Sequence, residues 1–267
     1  MPQTIVFSHA NGFPAGTYRV LFETWRAAGY RVEAVERFGH DPRHPVTSNW
    51  PHLRDELTSF IDRLQPVEPV HLVGHSLGGF LSLLAACRRP DLARSVLLLD
   101  SPIITGWRAH SVQVVKATGL IRRISPGKVS RRRRQHWPSR DAALQHFAAK
   151  TVFARWAAPV LADYIAAGTE AAPDGGVQLR FDRGVETRIY ETLPHHLPTL
   201  LKRHPPRCPV AFIGGTSSAE VRKVGLAATR ALTHGGIDWL EGGHLFPMER
   251  PEETAQAVLR RLAASQD

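Results

Sequence analysis

Short apolar runs alternate with helix-period segments along much of this chain, and no other feature restricts its fold as tightly. Residues 4–7, 31–35, 70–73 and 95–99 read as strands. Between them, residues 18–28, 49–64 and 77–88 space their apolar side chains as helices do. Leu53, Leu57, Phe60, Ile61 and Leu64 form one such stripe. Gly29 stops the first helix, and Pro51 is tolerated in the first turn of the second. Strand, helix and strand in series call for a parallel sheet with helices on both faces, because parallel neighbours need a crossover. The alternation lapses after Asp100. It resumes with a strand over 209–213, a helix over 219–232, a strand over 237–240 and a last helix over 251–264.

Two core portions, 1–102 and 208–267, are therefore expected to flank an inserted, mainly helical subdomain over 103–207. Within the insert, residues 141–150 read as a helix behind Ser139 as N-cap, and 158–167 as another ending at Gly168. Pro173, Asp174, Gly175 and Gly176 make a turn into a strand over 177–181. A chain of 267 residues, 43% hydrophobic and 22% charged, can bury such a core and is not a disordered polymer. No apolar run approaches the roughly 18 residues of a membrane span, and Met1 to Thr4 do not open a signal peptide. The expectation is a soluble cytoplasmic protein. Cys87 and Cys208 are too few for a disulfide framework and read as small buried residues.

The net charge of +10 is local. Between Ile103 and Arg207 lie 18 Lys and Arg against 7 Asp and Glu, so the insert carries the whole excess. Arg122, Arg123, Lys128 and the run Arg131, Arg132, Arg133 and Arg134 are its centre. Such a patch fits an anionic substrate or partner, and equally a solvated helix face. No zinc-ligand spacing or aromatic RNA-binding motif accompanies it, so nucleic acid is not expected. Trp107, Trp137, Phe147, Phe153 and Trp156 read as the insert's core and pocket lining. His40 with Asp41, and His195 with His196, lack a third ligand at metal-site spacing. Neither a dinucleotide fingerprint nor a phosphate loop is present, so the expectation is no cofactor and no metal.

Chemistry concentrates at Gly74-His75-Ser76-Leu77-Gly78-Gly79, between a strand and a helix. Glycines on both sides of a serine allow a turn sharp enough to lift the Ser76 hydroxyl above the sheet edge. A serine needs a base, and His244 follows the last strand, on the sheet edge where the Ser76 turn also opens. Together with His9-Ala10-Asn11-Gly12 after the first strand, and Glu249-Arg250-Pro251-Glu252 beyond His244, these residues resemble the α/β-hydrolase fold superfamily. The resemblance spans roughly residues 4–102 and 208–265. It implies a mostly parallel sheet of about six strands without the usual first hairpin, and a helical cap in place of the insert.

The resemblance also assigns roles. Ser76 becomes the nucleophile and His244 the base, and Leu77 supplies one oxyanion N–H, with Ala10 or Asn11 supplying the other. Relatives usually carry an acid after the penultimate strand. Here that stretch, Gly214 to Glu220, holds no Asp. Asp100, at the end of the fourth strand, is the preferred acid, and Glu220 the second choice. Ser217 and Glu220 have the spacing of a capping box, which would commit Glu220 to backbone. The expected function is a serine hydrolase acting on a small acyl ester or thioester, which an anionic group on the substrate would suit. The alternative is a binding protein on a hydrolase scaffold that uses its basic insert, with the missing conventional acid as the sign.

Overall fold

The computed structural model describes residues 2–104, 130–173 and 175–264. In chain order it begins with β1 (Thr4–Ser8), a 3-10 turn (Ala15–Tyr18), α1 (Arg19–Ala27) and β2 (Arg31–Ala34). Then come α2 (Pro51–Leu64), β3 (Val70–His75), α3 (Leu77–Arg88) and β4 (Ala93–Leu99). After β4 the described residues form β5 (His136–Trp137), α4 (Arg140–Ala148), α5 (Ala158–Gly168), β6 (Thr169–Ala171) and β7 (Val177–Leu179). Helices α6 (Arg183–Glu191) and α7 (Leu197–Arg203) complete that insert. The chain continues through β8 (Val210–Gly215), α8 (Ala219–Val224), α9 (Ala227–Leu232), β9 (Ile237–Leu240), α10 (Phe246–Glu249) and α11 (Pro251–Ala264).

The main sheet has six parallel strands in the order β2-β1-β3-β4-β8-β9. Central strand β3 is buried along its whole length, which is why Val70 to Val73 are apolar at most positions rather than alternating with polar residues. Strand β1 divides its side chains between the two faces. Ile5 and Phe7 join Tyr18, Trp25, Val73 and Val258, whereas Val6 joins Leu57, Leu72, Leu81 and Phe212. Each such buried Leu or Phe contributes about 1.5–3 kcal/mol relative to exposure. Order β2-β1-β3-β4 reverses direction of travel between β1 and β3, so the ends of those two strands open a crevice where both the loop 9–12 and the Ser76 turn emerge.

Some expectations need correction in detail. The helix over 219–232 is two helices, because Gly225 takes φ +78 and ends the first. The insert also carries a three-stranded antiparallel sheet, β5-β7-β6, besides its helices. Ser139 does cap α4, accepting from the Ala142 N–H at 3.1 Å. Trp107, Arg122, Arg123 and Lys128 lie outside the described residues. Among the described residues, no helix is long and apolar enough to cross a membrane.

Candidate active site

Ser76 sits between β3 and α3 with φ 54 and ψ −115, a conformation that costs a non-glycine residue about 1–3 kcal/mol. The surrounding backbone holds it there. Its N–H donates to Leu99 O at 3.0 Å, and its carbonyl accepts from Gly79 N–H at 3.1 Å and from the Ser101 hydroxyl at 2.8 Å. The flanking glycines are obligatory by contact. A Cβ on Gly74 would lie 2.2 Å from Gly78 O, and one on Gly78 would lie 1.9 Å from Ser8 O. The turn is thus wedged between β1 and its own helix.

Across the sheet edge, the Ser76 hydroxyl donates to His244 Nε2 at 3.0 Å, and His244 Nδ1 lies 2.7 Å from Asp100 Oδ2. A carboxylate only accepts, so Nδ1 carries the proton and Nε2 is left as the acceptor facing Ser76. Asp100 is 1% exposed and fully tied down. Its N–H donates to Ile213 O at 2.9 Å, its Oδ1 accepts from Gly215 N–H at 2.9 Å, and its Oδ2 also accepts from the Ser218 hydroxyl at 2.6 Å. Burial of a carboxylate is tolerable only with such a set of donors.

Glu220 is placed differently from the capping-box expectation. Ser218, not Ser217, caps α8, accepting from Val221 N–H, while the Ser217 hydroxyl donates to Gly242 O. Glu220 is therefore free of the box, and its Oε2 stands 3.9 Å from His244 Nδ1, beyond hydrogen-bond reach. Donor atoms of Asp100, Glu220 and His244 fall within 4.8 Å of one another. The 2.7 Å Asp100–His244 bond occupies the Nδ1 position, so a metal there would have to displace that proton.

The loop 9–12 approaches from β1. His9 is fully buried, with Nδ1–H donating to Ala10 O at 2.8 Å and Nε2 accepting from Phe38 N–H at 2.9 Å; burial holds its imidazole down to about 4. Ala10 N–H donates to the Tyr18 hydroxyl at 3.1 Å and is already committed. Among the described residues, the N–H groups of Asn11 and Leu77 have no acceptor. Of the two alternatives that the sequence leaves open, Ala10 thus has its N–H bonded and Asn11 does not. Gly12, at φ +82, packs on the insert, where an added Cβ would meet Glu186 Oε1 at 2.9 Å and Arg133 at 3.2 Å.

That contact joins insert to core. Asn11 Nδ2 donates to Glu186 O at 3.0 Å, and Arg133 pairs with Glu186 Oε2 at 2.8 Å and bonds the Tyr164 hydroxyl. Arg131 pairs with Glu191, and Arg134 donates to His136 O while lying over the Trp137 ring. Much of the arginine run is therefore spent inside the chain. Trp137, Phe147, Phe153 and Trp156 are buried in one aromatic cluster with Tyr164, as core residues. The remaining singled-out residues stand elsewhere. His40 is bonded at both ring nitrogens, to Phe38 O and Asp182 N–H; His195 N–H donates to Asn49 Oδ1, and His196 stands at the N-cap position of α7 without a side-chain cap bond. Burial lifts the Cys87 thiol to about 12 and Cys208 to about 11, so both stay protonated and poorly nucleophilic.

The family profile described as alpha/beta hydrolase family matches residues 5–257, nearly the whole chain. The chain belongs to the alpha/beta hydrolase family. Among curated relatives, it is 29% identical over 132 residues to monoglyceride lipase of Rattus norvegicus, covering 47% of this chain and 44% of that protein. It is 29% identical over 107 residues to phospholipase YtpA of Bacillus subtilis, covering 38% of this chain and 40% of the relative. The chain thus spans less than half the length of these relatives. Among solved structures, E-2-(acetamidomethylene)succinate hydrolase superposes with a TM-score of 0.73 at 23% identity, over 97% of this chain and 90% of that one. The thioesterase domain from the curacin biosynthetic pathway gives 0.74 at 21% identity, over 97% and 91%. At these identities the two structures establish the shared fold alone. In this alpha/beta hydrolase Tyr18, Ser218 and Glu186 hold parts of the site without a local signal in the sequence. Only His75 carried a signal, its place beside the nucleophile candidate.

Proposed function

We propose that this protein is a serine hydrolase that cleaves a small acyl ester, with thioesters as the second substrate class. Ser76 Oγ attacks the acyl carbonyl while His244 Nε2 takes its proton, and the bond to Asp100 keeps the imidazole in the competent tautomer and stabilises its charged form. The N–H groups of Leu77 and Asn11 receive the oxyanion, with the N-terminus of α3 adding its dipole. His244 then returns the proton to the leaving alkoxide or thiolate, and water enters by the same route in reverse to release the acid. The insert over 103–207 serves as the cap that shapes the acyl pocket. The observation that carries this proposal is the continuous bond series from Ser76 through His244 to Asp100, at 3.0 and 2.7 Å, with the buried carboxylate also accepting from Gly215 N–H and the Ser218 hydroxyl.

Support also comes from the curated relatives, whose names are those of lipases and a phospholipase. The binding-protein alternative draws on a missing acid, and the bond between Asp100 and His244 weighs against it. The test is intact-mass analysis after exposure to a fluorophosphonate near pH 7.5, with peptide mapping. Rapid stoichiometric labelling at Ser76, absent after His244→Ala, is the expected result. Well-folded protein that does not label would overturn the proposal.

A further inference from the structure

His75 is bonded through both ring nitrogens, to Tyr18 at the end of the 3-10 turn and to His244 in the loop after β9. Nε2 lies 2.8 Å from the His244 carbonyl, which can only accept, so Nε2 carries the proton. Burial, then the neighbouring His244, holds the imidazole down to about 3, so the ring is neutral and Nδ1 must accept. The group facing Nδ1 at 2.8 Å is the Tyr18 hydroxyl, which therefore donates there. Tyr18 in turn accepts from the Ala10 N–H at 3.1 Å. All three side-chain and loop members, Ala10, Tyr18 and His75, are buried. No member can reverse without leaving a buried donor or acceptor unpaired, because both ends are backbone groups of fixed polarity.

We propose that Tyr18 and His75 are positioning residues: the one-way chain from Ala10 N–H through Tyr18 O–H and the His75 ring to the His244 carbonyl fixes the oxyanion loop and the His244 loop relative to Ser76. Its kinetic consequences rest on the serine-hydrolase proposal above. Four observations converge on it. Ala10 precedes Asn11, the free oxyanion donor, so the Tyr18 hydroxyl sets where the Asn11 N–H points. The far end grips the backbone of His244 itself, and the two imidazole rings pack at 5.2 Å. His75 is covalently joined to Ser76, so one side chain references base and oxyanion donor to the nucleophile. Finally, Tyr18 is locked by ring contact with Phe7 of β1 at 4.5 Å, which anchors the chain to the sheet. Catalytic geometry demands tolerances of about half an ångström, and a misplacement near 1 Å costs on the order of a hundredfold. Among the described residues, no other hydrogen-bonded path links loop 9–12 to the His244 loop.

The experiment uses the full chain with Tyr18→Phe, His75→Phe, His75→Gln and the double Phe variant. Readouts are fluorophosphonate labelling rate at Ser76, kcat and KM for p-nitrophenyl acetate, and amide hydrogen exchange at Ala10. Tyr18→Phe and His75→Phe should each lower kcat and labelling by about 10–100-fold with KM within about threefold, and the double variant should fall little further, since one break already opens the chain. His75→Gln, whose amide can replace Nε2–H toward His244 O, should recover part of the loss. Exchange at Ala10 should quicken in His75→Phe although His75 does not touch Ala10. A purely structural role would lower melting temperature without this kcat-selective loss, remote exchange effect or rescue. Wild-type rates in folded Tyr18→Phe, fully multiplicative losses, or unchanged Ala10 exchange in His75→Phe would each overturn the proposal. Should the unmutated protein neither label nor turn over while Ala10 exchange still responds to His75→Phe, the hydrolase proposal fails and the positioning chain stands. If the Phe variants do not fold, nitrogen-15 spectra of unmutated His75 decide instead: a proton on Nε2 supports the chain, and one on Nδ1 overturns it.

Discussion

The sheet side of the site and the insert side are held by different chemistry. On the sheet side the positions are set by backbone: Ser76 by Leu99 O, and Asp100 by Ile213 O and Gly215 N–H, with glycines that admit no Cβ. On the insert side several ties to the core run through side chains, Arg155 to Glu249, Arg19 to Asp163 and Asn11 to Glu186 O, beside two backbone bonds, Asn49 N–H to Thr192 O and Ala157 N–H to Met248 O. Backbone ties cannot be exchanged residue by residue, whereas side-chain ties can. Under the proposed function, the difference would place the reacting atoms where displacement is expensive and leave the insert open to change on an unchanged scaffold.

The sharpest break in that contrast is on the sheet side. Ser76→Ala should lower turnover by about 10⁴–10⁶-fold and abolish fluorophosphonate labelling, with the melting temperature preserved. Asp100→Asn should cost about 10³–10⁴-fold in kcat, and Glu220→Gln less than about threefold, measured on one ester. A reversed order would move the acid to the α8 loop and blur the distinction between the two sides.

Acid sensitivity should also belong to the sheet side. Burial holds His9 and His71 down to about 4 and His75 to about 3, against 6.5 when unfolded. The unfolded chain thus takes up protons that the native one refuses. Their contribution is complete above pH 6.5 and is lost as pH falls toward those native values. For His9 alone the loss approaches about 3 kcal/mol, at about 1.4 kcal/mol per pH unit. Glu56 runs the other way: burial lifts it to about 7, so its contribution is present below 4.5 and lost as pH rises through 7. Three histidines outweigh one carboxyl, and urea unfolding should show stability falling from pH 6.5 to 5. A flat profile would mean these rings are protonated or exposed.

On the insert side, Glu186→Gln should strand a nearly buried Arg133 and cost about 3 kcal/mol in urea unfolding, with much of it restored when Arg133→Met is added. The smallest effect is expected at the exposed Arg19, where Arg19→Ala should change stability by less than about 1 kcal/mol.

How much of this was legible in the chain varies by residue. The α3 helix was read at Leu77–Arg88, because glycine, serine and apolar spacing are local signals. His244 was readable from its place after the last strand. Which carboxylate meets His244 is not legible there: Asp100 bonds it from 144 positions away, and Glu220 stands 3.9 Å off. The split of the helix over 219–232 at Gly225 was missed for a different reason, since apolar spacing continues through a glycine that leaves the helix only by its φ.

By itself the sequence determined the strand and helix alternation, the parallel sheet and the sharp turn at Ser76, since each follows from periodicity and from backbone freedom at glycine within a few residues. Only the tertiary structure decided that Asp100 meets His244, that Ala10 N–H is spent on Tyr18 while Asn11 N–H is not, and that the arginine run is largely paired within the chain. Hydrogen bonds have a range of about 3 Å and a direction. Which donors satisfy which acceptors is therefore settled only when separate strands and loops are brought side by side.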